Sequence, residues 1–516
     1  MSYTIVLSLL AAIVVPILLA VLSLFQSPLR KVPSPPNTNL ILGHFDAIRK
    51  EDTGVTTRAY SQMMPFGIFR TRMFLSWRVW VTDPKALSKI LVTSAYDYQK
   101  PPSTRDFLTV LLGKGVLVAE GLEHKKQRRA LDSAFSLPRI KEITNIFWGP
   151  GRNLVKIWED MAPSTDEAVR IDVMPWLSRT TLDIIGLAGF DHDFDSLHKP
   201  EDKLAKAYNS LFNGERVPLS VMILSGLAEY FSPALWIRNQ LPFFHHIKKH
   251  RMIVEGITQE LLDKKRASIH SSDKKDILSI LVRDNLGSED PLTDKEIMDQ
   301  CLTFLAAGHE TTSTALTWTL QRLAENPNIQ QKLRQEILQT FPQDRDLTYD
   351  ELNSLPYLSA VTREVLRLDA PVPVTSRQPV KDDVICGYAI PKGTIVLIPP
   401  SVVHYHPDIW GPEADKFKPE RFLEVGGVSD VAKGEVNGEN ERLRRAGPYA
   451  NLTFLAGPKN CIGHKFALTE MKALLVCIIR NFSFEEDEPG KVIGRRASLV
   501  MRPKEGHLYL KMKRIR

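Results

Sequence analysis

Residues 454–463 read Phe-Leu-Ala-Gly-Pro-Lys-Asn-Cys-Ile-Gly, and apolar residues at helical spacing follow as far as Ile479. Glycines at 457 and 463 let a backbone come close to a flat ligand. Cys461 stands where the next helix begins, so amide N–H groups and the positive end of the helix dipole favour its thiolate. A metal ligand needs such an anionic sulfur. A cysteine beside a turn ordinarily packs as a small hydrophobe, so the assignment depends on the whole segment and on what surrounds it.

Upstream, Thr293 and Glu296 make a capping-box pattern, and apolar residues recur until Pro327. They predict one helix of roughly 50 Å. Its middle, residues 304–312, reads Phe-Leu-Ala-Ala-Gly-His-Glu-Thr-Thr. Polar groups in an otherwise apolar stripe need partners or a task. Residues 364–367 read Glu-Val-Leu-Arg, residues 419–422 Pro-Glu-Arg-Phe and residues 124–128 His-Lys-Lys-Gln-Arg, and Arg377 follows a proline-rich run. Taken singly, each is an ordinary surface charge pattern. Short β-like runs lie at 66–73 and 78–81, a hairpin is predicted over 384–398 about Pro391-Lys392-Gly393, and 425–447 reads as a surface loop.

Residues 454–463 resemble the haem-binding loop of the cytochrome P-450 family, Phe-x-x-Gly-x-Arg-x-Cys-x-Gly, and the other segments follow in that family's order over almost the whole chain. The resemblance implies a mainly helical α+β fold with a long central distal helix, small β-sheets and an N-terminal transmembrane helix. It implies haem, iron protoporphyrin IX with Cys461 as axial ligand, in a loop that includes Phe454 and Gly463. Lys459 stands where the family has a propionate-binding arginine; the charge is kept and the planar fork is lost. His124, in place of a tryptophan, with Arg128 and Arg377 would contact the propionates. Glu364, Arg367 and Arg421 would brace the cysteine loop. Glu310 and Thr311 would be the acid–alcohol pair: Thr311 bonded back toward Ala307 or Gly308, Glu310 relaying protons.

The implied activity is insertion of one oxygen atom of dioxygen into a lipophilic substrate, with electrons from NADPH through a cytochrome reductase. The motif variants resemble fungal microsomal members that tailor secondary metabolites. Two alternatives stay open: a haem-thiolate isomerase or dehydratase working without dioxygen, and a non-catalytic haem sensor. Apolar stretches at 107–112, 372–374 and 499–501 are the expected substrate lining. Lys125, Lys126, Arg129 and Lys465 would offer a basic face to an acidic flavoprotein.

Composition sets outer limits. With 43% hydrophobic and 25% charged residues the bulk of the chain is globular, and 516 residues allow one large domain or two. A net charge of +7 over this length does not argue for nucleic acid as a partner. The four cysteines lie far apart without a C-x-x-C pair, which suits a reducing compartment. Residues 5–25 carry no charge and are long enough to cross a bilayer of about 30 Å; Arg30 and Lys31 after them favour a cytosolic body. The expected organisation is an anchor over 1–29, a stiff proline-rich linker over 30–45 and a haem-thiolate domain over 46–516, single-pass in the endoplasmic reticulum membrane. A second membrane contact is expected at 219–244, with Lys248, Lys249 and Arg251 at the headgroups. His245, His246 and His250 belong to that region and are not read as a metal site.

Overall fold

The helix expected after Thr293 runs over Asp294–Glu325. Both halves of the capping box form: the Thr293 hydroxyl accepts from the Glu296 amide, and the Glu296 carboxylate accepts from the Thr293 amide. Pro327 opens the next helix, Pro327–Thr340, because a proline costs least at a first turn. With 32 residues the long helix spans roughly 48 Å, and most of its residues are buried. It packs against the helices Val173–Phe190, Pro242–Ser268 and His464–Asn481 around the larger of two hydrophobic cores. The computed structural model describes residues 15, 18, 21, 22, 24–37, 39–199, 206, 207, 211, 217–229, 231, 233–268, 275–424, 446–497 and 499–515.

The sheets are small. Strands β1 (Ile68–Met73), β2 (Ser76–Val81) and β3 (Tyr98–Gln99) belong to one five-stranded sheet with β5 (Thr375–Pro379) and β8 (Ile395–Ile398), in the order β1-β2-β8-β5-β3. Only β2 and β8 in it run parallel. Strand β4 (Val169–Asp172) pairs with β12 (Tyr509–Arg514), which also pairs with β9 (Phe482–Glu486). Strands β10 (Arg495–Ala497) and β11 (Met501–Pro503) form a hairpin fixed to the long helix by the Trp318 indole N–H, which donates to the Met501 carbonyl (2.8 Å).

One expectation needs correction. The predicted hairpin over 384–398 turns elsewhere: β6 (Asp383–Ile385) and β7 (Tyr388–Ile390) pair through Cys386 and Gly387, both at positive φ, while Pro391–Gly393 leads into β8 and another sheet. The proline-rich segment over 30–45 touches the body at several points. Val32 is buried in the smaller core beside Leu29, the Val32 and Pro33 carbonyls accept from Arg70, and the Pro35 carbonyl bonds the ring of His44.

Among the described residues no helix is long and apolar enough to cross a membrane. Most of the expected anchor and most of the loop at 425–447 lie outside the described residues. The segment 219–244 contains the helices Leu219–Leu227 and Pro233–Asn239 and the start of Pro242–Ser268, with Leu219, Ile223, Trp236 and Ile237 exposed.

Candidate active site

The Cys461 amide donates to the Phe454 carbonyl (2.9 Å), closing the loop upon itself, and the helix His464–Asn481 starts three residues on. Gly457, at φ +73°, owes its identity to the protein rather than to a ligand: a Cβ there would lie 2.0 Å from the Leu91 carbonyl oxygen. At Gly463 a Cβ would meet only Phe135, at 3.8 Å. Burial pushes the Cys461 thiol up, while the Gly463 amide and the Arg128 charge act in favour of the thiolate. The residue nevertheless keeps accessible surface.

The loop rests on a buried ion-pair assembly. Arg367 forks onto both carboxylate oxygens of Glu364 (2.7 Å each) on the helix Pro356–Leu368, with neither side chain exposed. Arg421 Nε and the Lys418 amide also donate to Glu364 (3.0 and 2.9 Å). Arg367 further donates to the carbonyls of His404 and Ala414. Burial lowers the His404 pKa to about 3, so the ring is neutral, with one donor and one acceptor nitrogen. Nδ1 donates to the Arg367 carbonyl and Nε2 accepts from the Leu452 amide (2.7 Å each). Thr453 donates to the Leu366 carbonyl (2.8 Å), so one direct bond and the His404 bridge tie the helix to the residues just before Phe454. Nothing along the chain marked His404, because an isolated histidine in a loop has no motif.

The long helix supplies the opposite wall. Thr311 Oγ1 donates to the Ala307 carbonyl (2.8 Å), one of the two partners expected for it, and Thr312 donates to Gly308 (3.1 Å). Ala307 is exposed in the middle of a helix otherwise mostly buried. Glu310 is buried and ion-paired to Arg502 of β11, with His309 Nε2 at 3.2 Å from its other oxygen. Burial opposes its ionisation; the Arg502 charge and the His309 contact outweigh that and hold its pKa near about 2. Arg502 was not among the expected residues, and it changes the expected relay: the carboxylate is clamped as an anion rather than hanging free.

Buried positive charge collects near the cysteine loop. Lys459, the departure from the arginine pattern, is ion-paired to Glu120 and donates to the Tyr98 carbonyl (3.2 Å). Lys100 lies 3.6 Å from the same carboxylate. Arg377 is buried and, among the described residues, its side chain donates only within its own strand, to Thr375 Oγ1 and the Ser376 carbonyl (3.1 and 2.8 Å). Among the described residues the buried Nε of Arg105 finds no hydrogen-bond acceptor. His124 faces the Tyr96 hydroxyl (3.2 Å), and burial with the Lys459 and Lys100 charges lowers its pKa to about 4. Arg128 grips Asn460 through its carbonyl and side chain (2.7 and 3.0 Å). One carboxylate, Glu120, thus faces two lysines with Arg377 close by, a surplus that suits a buried dianion. Lys100, Arg105 and Glu120 carried no motif to mark them. A flat ligand with two carboxylates and a metal that takes one sulfur fits these groups, and haem has that chemistry.

The family model for cytochrome P-450 matches residues 33–510. The chain belongs to the cytochrome P-450 family. Among its relatives are the cytochrome P-450 monooxygenase sphH of Aspergillus fumigatus, 34% identical over 94% of this chain and 88% of that protein, and FUM15 of Gibberella moniliformis, 34% identical over 90% and 84%. A ganoderic acid synthetase of Ganoderma lucidum is 31% identical over 90% of this chain and 89% of its own length. This P-450 is therefore a haem-thiolate monooxygenase, and members of the family work with redox partner reductases on hydrophobic substrates.

The lysine cluster predicts a pH effect. Burial, then the Arg377 and Lys459 charges, lower the Lys100 pKa from 10.5 to about 7, with Glu120 partly offsetting them. Below that value folded and unfolded chains both hold the proton and the burial cost stands in full. Between about 7 and 10.5 the unfolded chain binds more protons, so stability rises with pH. Protein prepared without haem should gain in denaturation midpoint between neutral and mildly alkaline pH, and Lys100→Met should reduce that gain.

Proposed function

We propose that this P-450 is a single-pass microsomal enzyme that takes electrons from an NADPH-dependent cytochrome reductase and oxidises a lipophilic secondary metabolite. The observation that carries this reading is the Thr311 hydroxyl, bonded to the Ala307 carbonyl where the middle of the long helix is accessible, in a protein whose only accessible cysteine besides Cys386 among the described residues is Cys461. Cys461 would hold the haem, which when bound would supply the iron chemistry for activating dioxygen. Thr311 holds a hydroxyl beside that chemistry, and Glu310 with Arg502 keeps a fixed negative charge behind it. Val372 and Val374, both part-exposed, offer apolar contact to the substrate. The fungal relatives, one of them named a ganoderic acid synthetase, support a secondary-metabolite substrate.

A basic surface supports the reductase. Lys125 and Arg129 are exposed on the helix Gly121–Asp132 and Lys465 is half-buried, whereas Lys126 is taken up by Asp290 and Glu296 (3.3 and 3.4 Å). The uncharged stretch over 5–25 and the exposed Trp236 and Ile237 support membrane attachment.

The test is co-expression of the full chain with a microsomal reductase, comparison of metabolites in the membrane fraction, and then Thr311→Ala. Turnover should require NADPH and dioxygen. In the variant, hydrogen peroxide formed per NADPH should rise and product per NADPH should fall by roughly tenfold or more, since positioned proton donors contribute ~10²–10⁴-fold. Turnover without NADPH and dioxygen would establish the isomerase or dehydratase instead.

A further inference from the structure

The hairpin of β10 and β11 joins the long helix to the apolar stretch at 372–374. Arg502 reaches Glu310, one residue before Thr311, and the Met501 amide donates to the Pro371 carbonyl (2.8 Å). Arg496 and Arg502 are register partners across this hairpin. Residues directly opposite on antiparallel strands send their side chains to one face with Cβ atoms about 5 Å apart, and like charges placed so destabilise the pair. Arg495 leaves by the other face and is taken up by Asp369 (2.9 Å). On the face of Arg496 and Arg502 the ion-paired carboxylate is Glu310, and it belongs to Arg502. Among the described residues no carboxylate pairs with Arg496, and the buried Nε atoms of Arg496 and Arg502 find no acceptor. A buried donor without an acceptor costs free energy until something supplies one. Both arginines are part-buried, so an acceptor can reach them from outside.

We propose that Arg496 and Arg502 form an anion subsite of the substrate pocket, and that this P-450 takes a lipophilic substrate bearing one carboxylate. The inference deepens the proposed function and rests on its reading that a lipophilic metabolite binds beside the long helix.

Charge and shape both select that ligand. Two guanidinium groups faced by one carboxylate leave one positive charge to balance, which a monoanion does. A neutral alcohol or ketone would offer an acceptor and leave the charge. A carboxylate matches the planar fork of a guanidinium with two parallel N–H bonds, and such pairing strengthens where water is scarce. The apolar part of the ligand has its own contacts close by: the part-buried Leu499 at the hairpin tip, and Val372 and Val374 beyond Pro371. Arg502 has a second task, because it holds Glu310. Arg496 has no such task, so its replacement reports on the subsite without disturbing an ion pair of the fold.

The experiment is titration of the ferric holoenzyme with dodecanoate and with dodecanol, binding being read by equilibrium dialysis and by the shift of the Soret band. Equal chain lengths keep the apolar contribution the same. At low salt dodecanoate should bind about tenfold or more tightly than dodecanol, the effect of one hydrogen bond to a charged group. Arg496→Gln should bring the two near parity by weakening dodecanoate alone, and Arg496→Lys, which keeps the charge, should retain part of the preference. Dodecanoate should raise the denaturation midpoint of the parent more than dodecanol does, and this difference should vanish in Arg496→Gln. Equal affinities in the parent, no binding of dodecanoate, or an acid preference kept in Arg496→Gln would each overturn the proposal. None of these measurements uses NADPH or dioxygen, so the subsite can fail while the monooxygenase reading stands. Turnover without NADPH and dioxygen would overturn that reading and leave the measured acid preference in place.

Discussion

Cys461→Ser is expected to abolish the red-shifted Soret band of the reduced carbon monoxide complex and, with it, substrate oxidation. A serine hydroxyl stays neutral in water near neutral pH and cannot give the electron density of a thiolate. What favours an anion at this position, the Gly463 amide and the Arg128 charge, would remain and find no anion to stabilise. The loop itself should survive, since it is closed by the Cys461 backbone amide on the Phe454 carbonyl and anchored through Leu452 and Thr453, none of which involves the sulfur. The absorption spectrum is therefore the measurement, with circular dichroism to verify the fold. Persistence of the band in the variant would assign the axial ligand to another residue.

Arg367→Met is expected to have the largest effect on stability, about 3–5 kcal/mol, by removing one partner of a fully buried pair. Glu364 would keep Arg421 and the Lys418 amide but lose its forked bonds, and the carbonyls of His404, Ala414 and Lys416 would each lose a donor. Since His404 passes the support on to Leu452, the cysteine loop should loosen as well, and haem should be lost faster to an apo-globin acceptor. Glu364→Gln, which keeps the shape and most hydrogen bonds, should cost less than Arg367→Met. Denaturation midpoints and haem-transfer rates of both variants decide it: a loss under about 1 kcal/mol for Arg367→Met would mean that the assembly is dispensable to the loop.

The parts legible in the sequence are those set by neighbours along the chain. Thr293 and Glu296 lie three residues apart, and so do Glu364 and Arg367; helix geometry alone brings such pairs together. The return of Thr311 to Ala307 follows from the same i, i+4 spacing. The Cys461 loop is likewise a local fold, closed between Phe454 and Cys461. Turn chemistry was less decisive: both Cys386-Gly387 and Pro391-Lys392-Gly393 can reverse a chain, and only pairing with β5 and β2 sends β8 into the larger sheet.

What only the tertiary structure decided are partners far apart in the chain. Arg502 reaches Glu310 across 192 residues and Lys459 reaches Glu120 across 339. No local pattern marks such a pair, because each member alone reads as a solvated charge. The docking of the proline-rich segment on Arg70 and the requirement for glycine at 457 against Leu91 are of the same kind. Sequence by itself determined the helices, the thiolate loop and the residues that could do chemistry. Tertiary packing decided the charge states, since burial and distant partners turn Glu310 into a clamped anion, Lys459 into the partner of Glu120 and His404 into a neutral bridge. The cost of a charge out of water depends on what surrounds it in space, and the order of residues along the chain does not specify that.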